Sequence, residues 1–458
     1  MLKEEVMEKS NKILPTHFSE NKILLALEQL DKSNLEGQLT LLHPADFSDQ
    51  FEQLTSEQRE TLIQAAPKLI SADVLAELED EIVEDILPLL PSTKLASAIT
   101  ELDNDDATQI IEEMEEAQRE EVFKALEPYE RATIEASLRF DEETIGRLMQ
   151  REFVAAPPFW TVGDTIDHMR EDGRELPDLF FNIWVIDTHF IPIGYVPLST
   201  IMKSSRDISL SDIMNSSIVK ITQSMDQEEA AYLFEKYNLI SAPVVDDDQR
   251  LAGIMTVDDI IEIIQNENKE DILALAGVSE ASLTDTAVDI VRARAPWLFI
   301  NLATSILASI VIAQFDYAIT QIVALAILMP IVASMGGNAG TQALTVAVRN
   351  LTEKDLTSQT AWRSVQREAI AAMIIGFIFA FSLALISYIW FQDLKLSVVA
   401  FVAMIINHVF AGLAGILVPL GFKKFGADPA VSSSVFVTTV TDIIGFFVFL
   451  GLAVFILI

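Results

Sequence analysis

The sequence predicts a multidomain fold class: an α-solenoid N domain, an α/β domain of two similar halves, a linking helix and an all-α five-helix transmembrane domain. Three observations predict it. Residues 291–458 hold nine Lys/Arg and seven Asp/Glu, a net charge of +2, whereas the whole chain carries −37, so residues 1–290 carry −39. The C-terminal part contains five long apolar runs, and the middle of the chain contains an internal repeat.

The acidic N-terminal region predicts stacked helical hairpins. Residues 20–140 are rich in Glu and place apolar residues at helical spacing, and short turns separate the helices about every 20–30 residues, as in an α-solenoid. No catalytic constellation is present in this region, so we expect a scaffold or a regulatory surface. A net charge of −39 predicts cation binding and disfavours nucleic acid as a partner. The predicted domain boundaries are 1–140, 141–266, 267–292 and 293–458.

Five apolar segments are long enough to cross a membrane, because a bilayer core of about 30 Å needs about 20 apolar residues in a helix. They lie at residues 295–315, 319–348, 369–391, 396–421 and 430–458. The second segment is long enough to be broken or tilted.

Basic residues in the short connections predict the orientation of these spans. In a chain with five spans, the connections on one side of the membrane contain Arg292, Arg294, Arg349, Lys354, Arg363, Arg367, Lys423 and Lys424. The opposite connections hold one basic residue, Lys395. The sequence therefore predicts a multi-pass protein of the cell (inner) membrane with the N-terminus in the cytoplasm and Ile458 outside. The lack of Cys fits a soluble part in a reducing compartment, and the first residues lack the apolar core of a cleaved signal peptide.

Polar and helix-weakening residues recur every four positions on one face of the second span, at Pro330, Ser334, Asn338 and Gln342. Gly336 and Gly340 form a small-xxx-small pair that permits close helix approach. Because Pro330 and the pair Gly336 and Gly337 weaken the helix, we expect freed backbone carbonyls near Asn338. Such groups usually face a bundle interior or a water-filled path.

The fifth span carries Asp442, the one acidic residue within the predicted spans. It shares a helical face with small and polar residues, Val435, Thr438, Thr439 and Gly445. No Lys or Arg lies in any span to pair with this carboxylate, so Asp442 predicts a cation path. The fourth span offers Asn407 and His408. Asn338 or Asn407 alone could also serve as interhelical contacts, and His408 is interpreted as a helix-packing residue rather than a ligand.

The chemistry of these side chains favours a hard divalent cation. One carboxylate, amide oxygens, hydroxyls and backbone carbonyls form an all-oxygen site that shares water with the ion. Mg²⁺ releases its water reluctantly and is usually held by one or two carboxylates through its hydration shell. A dehydrating site for zinc or copper would require His and Cys clusters, which the sequence lacks.

Residues 144–265 repeat themselves. GRLMQREFVAAPPFWTVGDTIDHM is echoed by SDIMNSSIVKITQSMDQEEAAYLF, and FNIWVIDTHFIPIGYVPLSTIM by ISAPVVDDDQRLAGIMTVDDII. These halves resemble a tandem pair of CBS domains, a regulatory fold that often binds adenine nucleotides. The resemblance implies a nucleotide site, such as one for ATP, at Gly253, Thr256 and Asp259. The first half has Pro197 and Thr200 in place of the hydroxyl and the aspartate, so at most one site per chain is expected. The alternative is a CBS pair used for dimerisation and cation sensing.

The whole arrangement resembles the MgtE family of magnesium transporters along nearly the full chain, with PIVASMGGNAGTQALT and DPAVSSSVFVTTVTDII as its most specific segments. The resemblance implies a homodimer with a pore on its two-fold axis. Asp442 matches the pore aspartate that holds hydrated Mg²⁺, Asn338 matches a pore asparagine, and Asn407 lies where the fourth span often has asparagine. Gly337, Thr438 and Thr439 complete the set of residues that are expected to line the pore.

The resemblance also implies a role for the acidic residues of the soluble part. In the family, Mg²⁺ ions bridge carboxylates between the CBS domains and the helix that enters the membrane, and this locks the channel shut. Glu267, Glu270 and Asp271 match the acidic positions, and Asp259 is a further candidate ligand. Asn266 and Asn268 are neutral where acidic or small residues are common.

The sequence therefore predicts a magnesium-selective importer, not an enzyme, that moves Mg²⁺ down its electrochemical gradient and is closed by cytoplasmic Mg²⁺. Other interpretations are a broader divalent transporter for cobalt or manganese, an exporter coupled to another ion, and a membrane-anchored nucleotide sensor whose spans only dimerise. An enzyme is the least favoured class, because no nucleophile–base pair is apparent.

Overall fold

The structure, a computed structural model of the chain, describes residues 23, 39, 42–171, 176, 177, 179–278, 287–352, 358–425, 429 and 433–458. The chain divides into two compact units, Met1–Ile264 and Gln265–Ile458. The first unit contains the helical and α/β regions, and the second contains the apolar helices.

The helical region of the first unit is a stack of short helices. They are α1 (Pro44–Glu52), α2 (Ser56–Ala65), α3 (Ala72–Ala76), α4 (Asp80–Ile86), α5 (Ser92–Glu101), α6 (Asn104–Glu112), α7 (Glu116–Ala125) and α8 (Pro128–Ser137), with 3₁₀ turns at Pro67–Leu69 and Leu87–Leu89. A capping box at Thr55 begins α2, and Pro44 and Pro128 occupy first helical turns, where the missing N–H costs nothing.

Hydrogen bonds between neighbouring hairpins have a regular sequence separation. Ser48 donates to the Val74 carbonyl, 26 residues away, and Gln109 donates to Asp80, 29 residues away. The amide of Asn104 donates to the Ser137 hydroxyl, 33 residues away. Offsets of similar size, from 26 to 33 residues, mean that each hairpin packs on the next, which confirms the predicted solenoid.

The α/β region contains two three-stranded sheets with the same topology. The first contains β1 (Ala155–Ala156), β2 (Asn182–Ile186) and β3 (Pro192–Pro197), and the second contains β4 (Ile221–Thr222), β5 (Ser241–Val245) and β6 (Leu251–Thr256). In each sheet the first pair is parallel, the second is antiparallel, and the register shifts near the end of the middle strand. The helices of this region are α9 (Ile145–Leu148), α10 (Val162–Met169), α11 (Leu198–Lys203), α12 (Leu210–Ile213) and α13 (Gln227–Tyr237).

The segment that precedes each half of the α/β region packs in the core of the other half. Ile145 and Met149 pack in the core of the second half, and Leu210 packs in the core of the first. Two glycines permit the exchange: a Cβ on Gly253 would lie 2.6 Å from the Gln150 carbonyl oxygen, and a Cβ on Gly194 would lie 2.9 Å from that of Asn215. The predicted internal repeat is thus confirmed, and its halves interlock.

Helix α14, Val257–Ala276, follows β6. It begins ten residues before the predicted start of the linking helix at 267, because no helix-breaking residue separates Val257 from that position. It ends at Gly277, which adopts a left-handed φ of 72°. The Val278 and Gly277 amides donate back to the Leu273 and Ala274 carbonyls, the pattern of a glycine C-cap. Residues 279–286 of the predicted linking helix lie outside the described residues.

Among the described residues, five further helices are long and apolar enough to cross a membrane, by length and composition. They are α15 (Ala287–Ala313), α17 (Ala324–Thr352), α18 (Ser358–Phe391), α19 (Leu394–Lys424) and α20 (Ser433–Leu457), with the short α16 (Asp316–Gln321) before α17. This number matches the prediction. Of the two possibilities for the second span, broken or tilted, a break is not what the structure shows, because α17 is continuous through Pro330, Gly336 and Gly337. The glycines therefore serve close packing and free no backbone carbonyls there.

Two side-chain contacts show which helix ends lie near each other in the bundle. The Lys423 ammonium at the end of α19 donates to the Leu351 carbonyl at the end of α17, so these two ends lie together. Phe315, between α15 and α17, contacts Phe447 of α20 with ring centroids 6.0 Å apart. On α15 and α18, large apolar side chains such as Phe299 and Phe377 are exposed, as helices facing lipid require.

Candidate ion path and acidic cluster

The polar residues of the second and fifth spans meet where α17 crosses α20. A Cβ on Gly337 would lie 3.9 Å from Thr438 Cγ2 and 4.0 Å from Thr441 Oγ1. Asn338 is the next residue after Gly337, and Asp442 is the next residue after Thr441, so both lie close to this crossing. A Cβ on Gly340 would lie 2.7 Å from Val437 Cγ1, so the small-xxx-small pair brings the helices together as predicted.

One side of this crossing is not covered by any of the residues that the structure describes. We define the polar face by the residues Ser334, Asn338 and Gln342 of α17 and Thr438, Thr439 and Asp442 of α20. Its α17 members are exposed and its α20 members half-buried, while neighbours such as Val332 and Thr441 are fully buried. Among the described residues the Asp442 carboxylate has no ion pair and no hydrogen bond. Polar side chains at membrane depth therefore point away from the helix bundle of this chain.

The hydroxyl groups of the polar face are oriented by their own helix. Thr438 donates to the Ser434 carbonyl at 2.8 Å and Thr439 to the Val435 carbonyl at 2.6 Å. Each hydroxyl hydrogen is thereby committed to the backbone, and the oxygen lone pairs remain to accept hydrogen bonds from water. With Asp442 and the Asn338 amide, this set suits a cation that keeps its water shell.

Asn407 and His408 of the fourth span are buried. Asn407 is fully buried, and its Nδ2 donates to the Val332 carbonyl at 2.9 Å. His408 stacks on Phe379, and its Nδ1 lies 3.0 Å from the Met404 carbonyl. These contacts support the interpretation of His408 as a packing residue, while a pore-lining role of Asn407 stays a prediction.

The first unit contains a cluster of carboxylates that the sequence interpretation missed. We define the acidic cluster by Asp103, Asp105 and Asp106, at the start of α6, with Asp259 and Glu262 of α14. The segment LDNDD at 102–106 reads locally as a turn, but it begins a helix whose first residues face Asp259. The sequence shows an acidic run at this helix N-terminus, but its partner Asp259 lies 153 residues beyond Asp106 in the sequence.

Burial and mutual repulsion make these carboxyl groups hard to ionise. Burial, followed by the charge of Asp259, raises the pKa of Asp105 well above its usual value, and the Asp105 Oδ1 has no hydrogen-bond partner among the described residues. Burial and the charge of Asp103 raise the pKa of Asp106 to about 7. Burial raises the pKa of Asp259 to about 6 despite its hydrogen bond from Thr256. A bound cation or proton would relieve the repulsion.

The three residues expected to bind a nucleotide are involved in packing. Thr256 Oγ1 donates to Asp259 Oδ2 at 2.6 Å, and Gln150 Nε2 donates to the same oxygen at 3.2 Å. Gly253 is required by the close approach of Gln150, as described above. A ribose hydroxyl would therefore compete with Gln150 for the Asp259 carboxylate.

The remaining predicted ligands lie on α14. Glu267, Glu270 and Asp271 have the spacing i, i+3 and i+4, which places them on one helical face. At the end of this helix, Ala274 packs in a cluster with Leu344 of α17 and Val437 of α20. Within the ranges that the structure describes, no three acidic or imidazole side chains form a group that could hold a metal ion.

Five apolar helices, a carboxylate on a polar face that has no ion pair among the described residues, and a strongly acidic N-terminal region are the features of a membrane transport protein for a divalent cation. A family model described as "MgtE: Divalent cation transporter" matches residues 329–452, and models of the MgtE intracellular N domain and the CBS domain match residues 42–143 and 210–266. The magnesium transporter MgtE of Thermus thermophilus is 30% identical over 434 residues, which cover 93% of this chain and 96% of that protein. The chain belongs to the MgtE family of magnesium transporters.

A second relative agrees with this assignment. The magnesium transporter MgtE of Bacillus subtilis is 28% identical over 413 residues, which cover 90% of this chain and 91% of that protein. A solved structure described as the cytosolic domain of the Mg²⁺ channel MgtE in complex with ATP is 30% identical, with a TM-score of 0.49, and covers 53% of this chain and 98% of its own.

Proposed function

We propose that this chain imports Mg²⁺ through a path lined by the polar face, where two copies meet around a common axis. The observation that carries the proposal is the Asp442 carboxylate, which lies at membrane depth on an uncovered face and has no basic partner among the described residues. A second copy would cover that face and supply a second carboxylate. The hydroxyl and amide oxygens would then hold the water shell of the ion.

The direction of transport follows from the charge of the ion. Moving one elementary charge across 100 mV changes its free energy by about 2.3 kcal/mol, so a divalent ion gains about twice that on entering a negative interior. This gradient drives import without a coupled reaction. The proposed orientation places the acidic soluble part in the cytoplasm of the cell, on the same side as Lys423 and the end of α17.

We further propose that cytoplasmic Mg²⁺ closes the path. The acidic cluster supports an electrostatic sensor role: its carboxylates repel one another, and divalent cations that gather at this charge would relieve the repulsion without a ligand group of three carboxylates. Glu267, Glu270 and Asp271 support a second sensor position, because their helix ends against both helices of the proposed path. Ions that bind the closed state more tightly shift the population toward it.

The transport proposal is tested by Mg²⁺ uptake in a magnesium-auxotrophic cell that carries this chain, with Mn²⁺ and Co²⁺ as competitors. Growth on low Mg²⁺ that excess Mn²⁺ or Co²⁺ does not suppress is the expected result. Equal competition by all three ions would favour the broader divalent transporter. No rescue, with the chain present in the membrane, would favour a sensor without transport.

ATP is a second candidate ligand, favoured by the Thr256 and Asp259 pattern of the second CBS half. We expect calorimetry to show that Thr256→Ala and Asp259→Ala weaken ATP binding and that Thr200→Ala does not. Equal loss from Thr200→Ala and Asp259→Ala would contradict a single site per chain. No heat of binding to the unaltered protein would leave the CBS pair as a cation sensor.

A further inference from the structure

The side chain of Asn407 occupies a socket formed by the two helices of the proposed ion path. It projects from α19 and is fully buried, with 0% of its surface exposed. A Cβ on Gly445 of α20 would lie 2.9 Å from its Nδ2, and a Cβ on Gly336 of α17 would overlap the same nitrogen. One amide thus fills the space left by two glycines, one on each helix.

The orientation of this amide is fixed by its hydrogen bond. Nδ2 must face the Val332 carbonyl of α17, which it meets at 2.9 Å, because the two oxygens would otherwise repel each other. The Asn407 Oδ1 is then buried without a hydrogen-bond partner among the described residues. A buried acceptor without a donor destabilises a fold. A leucine of nearly the same shape would fill the socket without this penalty, so packing alone does not account for an amide here.

The socket lies next to the polar groups of the proposed path. Gly336 precedes Asn338 by two residues, and Gly445 follows Asp442 by three, less than one helical turn in each case. We propose that Asn407 is a positioning residue: its seat between Gly336 and Gly445 and its bond to Val332 set the distance between α17 and α20, and so the width of the ion path. This inference rests on the path proposed above.

A change in width should act on selectivity, because Mg²⁺ demands near-ideal octahedral geometry and releases water reluctantly. Asn407→Leu keeps the shape of the side chain and removes the hydrogen bond, and Asn407→Ala removes both. We expect both variants to run as the unaltered protein in size exclusion and to lower the ratio of Mg²⁺ to Mn²⁺ flux in proteoliposomes. A purely structural role would reduce both fluxes in proportion, so an unchanged ratio in both variants would overturn the proposal.

The socket itself is tested by added methyl groups. Gly336→Ala and Gly445→Ala should each reduce Mg²⁺ flux by about tenfold or more, since the added methyl group overpacks a tight contact and shifts the helices that line the proposed path. Gly421→Ala and Gly451→Ala are matched controls, because nothing lies within 4 Å of the added methyl group at either position. These two variants should retain normal flux.

The decisive comparison is a double variant. Asn407→Ala removes the amide that the new methyl group at position 336 would strike, so Gly336→Ala combined with Asn407→Ala should conduct better than Gly336→Ala alone. A defect of Gly336→Ala that Asn407→Ala leaves undiminished would overturn the proposal, as would a Gly336→Ala flux equal to that of Gly421→Ala. These outcomes are distinct from failure of the path itself, which would appear as normal flux in Asp442→Asn.

Discussion

At the scale of single residues, the acidic cluster links stability to pH. The folded protein holds the carboxyl of Asp106 at a pKa of about 7, against 3.8 for an unperturbed Asp. Because the folded state binds this proton more tightly than the unfolded state does, its stabilising effect is fully present below about pH 4 and is lost as the pH rises toward 7. The pKa of Asp259, raised to about 6, acts in the same direction.

We therefore predict that, without divalent cations, the melting temperature of the soluble part falls between pH 5 and pH 8. Asp106→Asn removes one of the repelling charges, so at pH 8 it should raise the melting temperature by about 2–4 °C for each kcal/mol of repulsion relieved. It should also reduce the stabilisation that Mg²⁺ gives at this pH. Asp207→Asn, a change at an exposed carboxylate, is the control. Identical pH profiles for Asp106→Asn and the unaltered protein would show that the cluster is not under electrostatic strain.

Local pattern predicted some residues of the candidate site and could not predict others. Asp442 and Asn338 stand out because polar groups are conspicuous in an apolar helix. Asp105 and Asp106 do not, because their importance arises from a tertiary contact with Asp259. The burial of Asn407 likewise depends on glycines of two other helices, and nothing in its own span indicates which residues those are.

At the scale of elements, the five spans follow from the length of the apolar runs and the two CBS halves from the internal repeat and its family resemblance, but the exact limits and partners of these elements do not follow from either. Helix α17 continues through Pro330 and the paired glycines because neighbouring helices pack against it and compensate for the weak positions. The lead-in segments of the CBS halves cross to the opposite core because Gly194 and Gly253 allow it. Secondary-structure propensity predicts neither the continuity of α17 nor the crossing of these segments, since tertiary packing decides both.

The order of the spans gives an element-scale prediction that the cysteine-free sequence makes easy to test. Lys424→Cys, at the end of α19, should react with a membrane-impermeant maleimide only after cells are opened, because the basic connections are expected in the cytoplasm. Gln392→Cys, between α18 and α19, should react in intact cells. Circular dichroism of the purified variants controls for folding. Labelling of both positions from the same side would exclude an odd number of spans between them.

At the scale of the whole molecule, closure by Mg²⁺ predicts that the soluble part becomes resistant to protease as Mg²⁺ rises. Changing Glu267 and Glu270 to Gln and Asp271 to Asn should move the midpoint of protection to higher Mg²⁺, because three of the proposed ligand charges are lost. Neutral side chains also relieve repulsion, so protection without Mg²⁺ should increase slightly. A control triple variant with Gln at the exposed positions 57, 60 and 116 should keep the original midpoint. The sensor assignment fails if the two triple variants share one midpoint.

The central claim is that Mg²⁺ passes the Asp442 carboxylate, and Mg²⁺ flux into proteoliposomes containing Asp442→Asn tests it most directly. The amide keeps the size of the side chain and removes its charge, so the size-exclusion profile should be unchanged while flux falls steeply. Asp442→Glu keeps the charge but moves it by about one methylene, and it should retain part of the flux, since Mg²⁺ holds its ligands at about 2 Å in a rigid octahedron. Near-normal flux in Asp442→Asn would contradict the account, because the carboxylate would then lie outside the path of the ion.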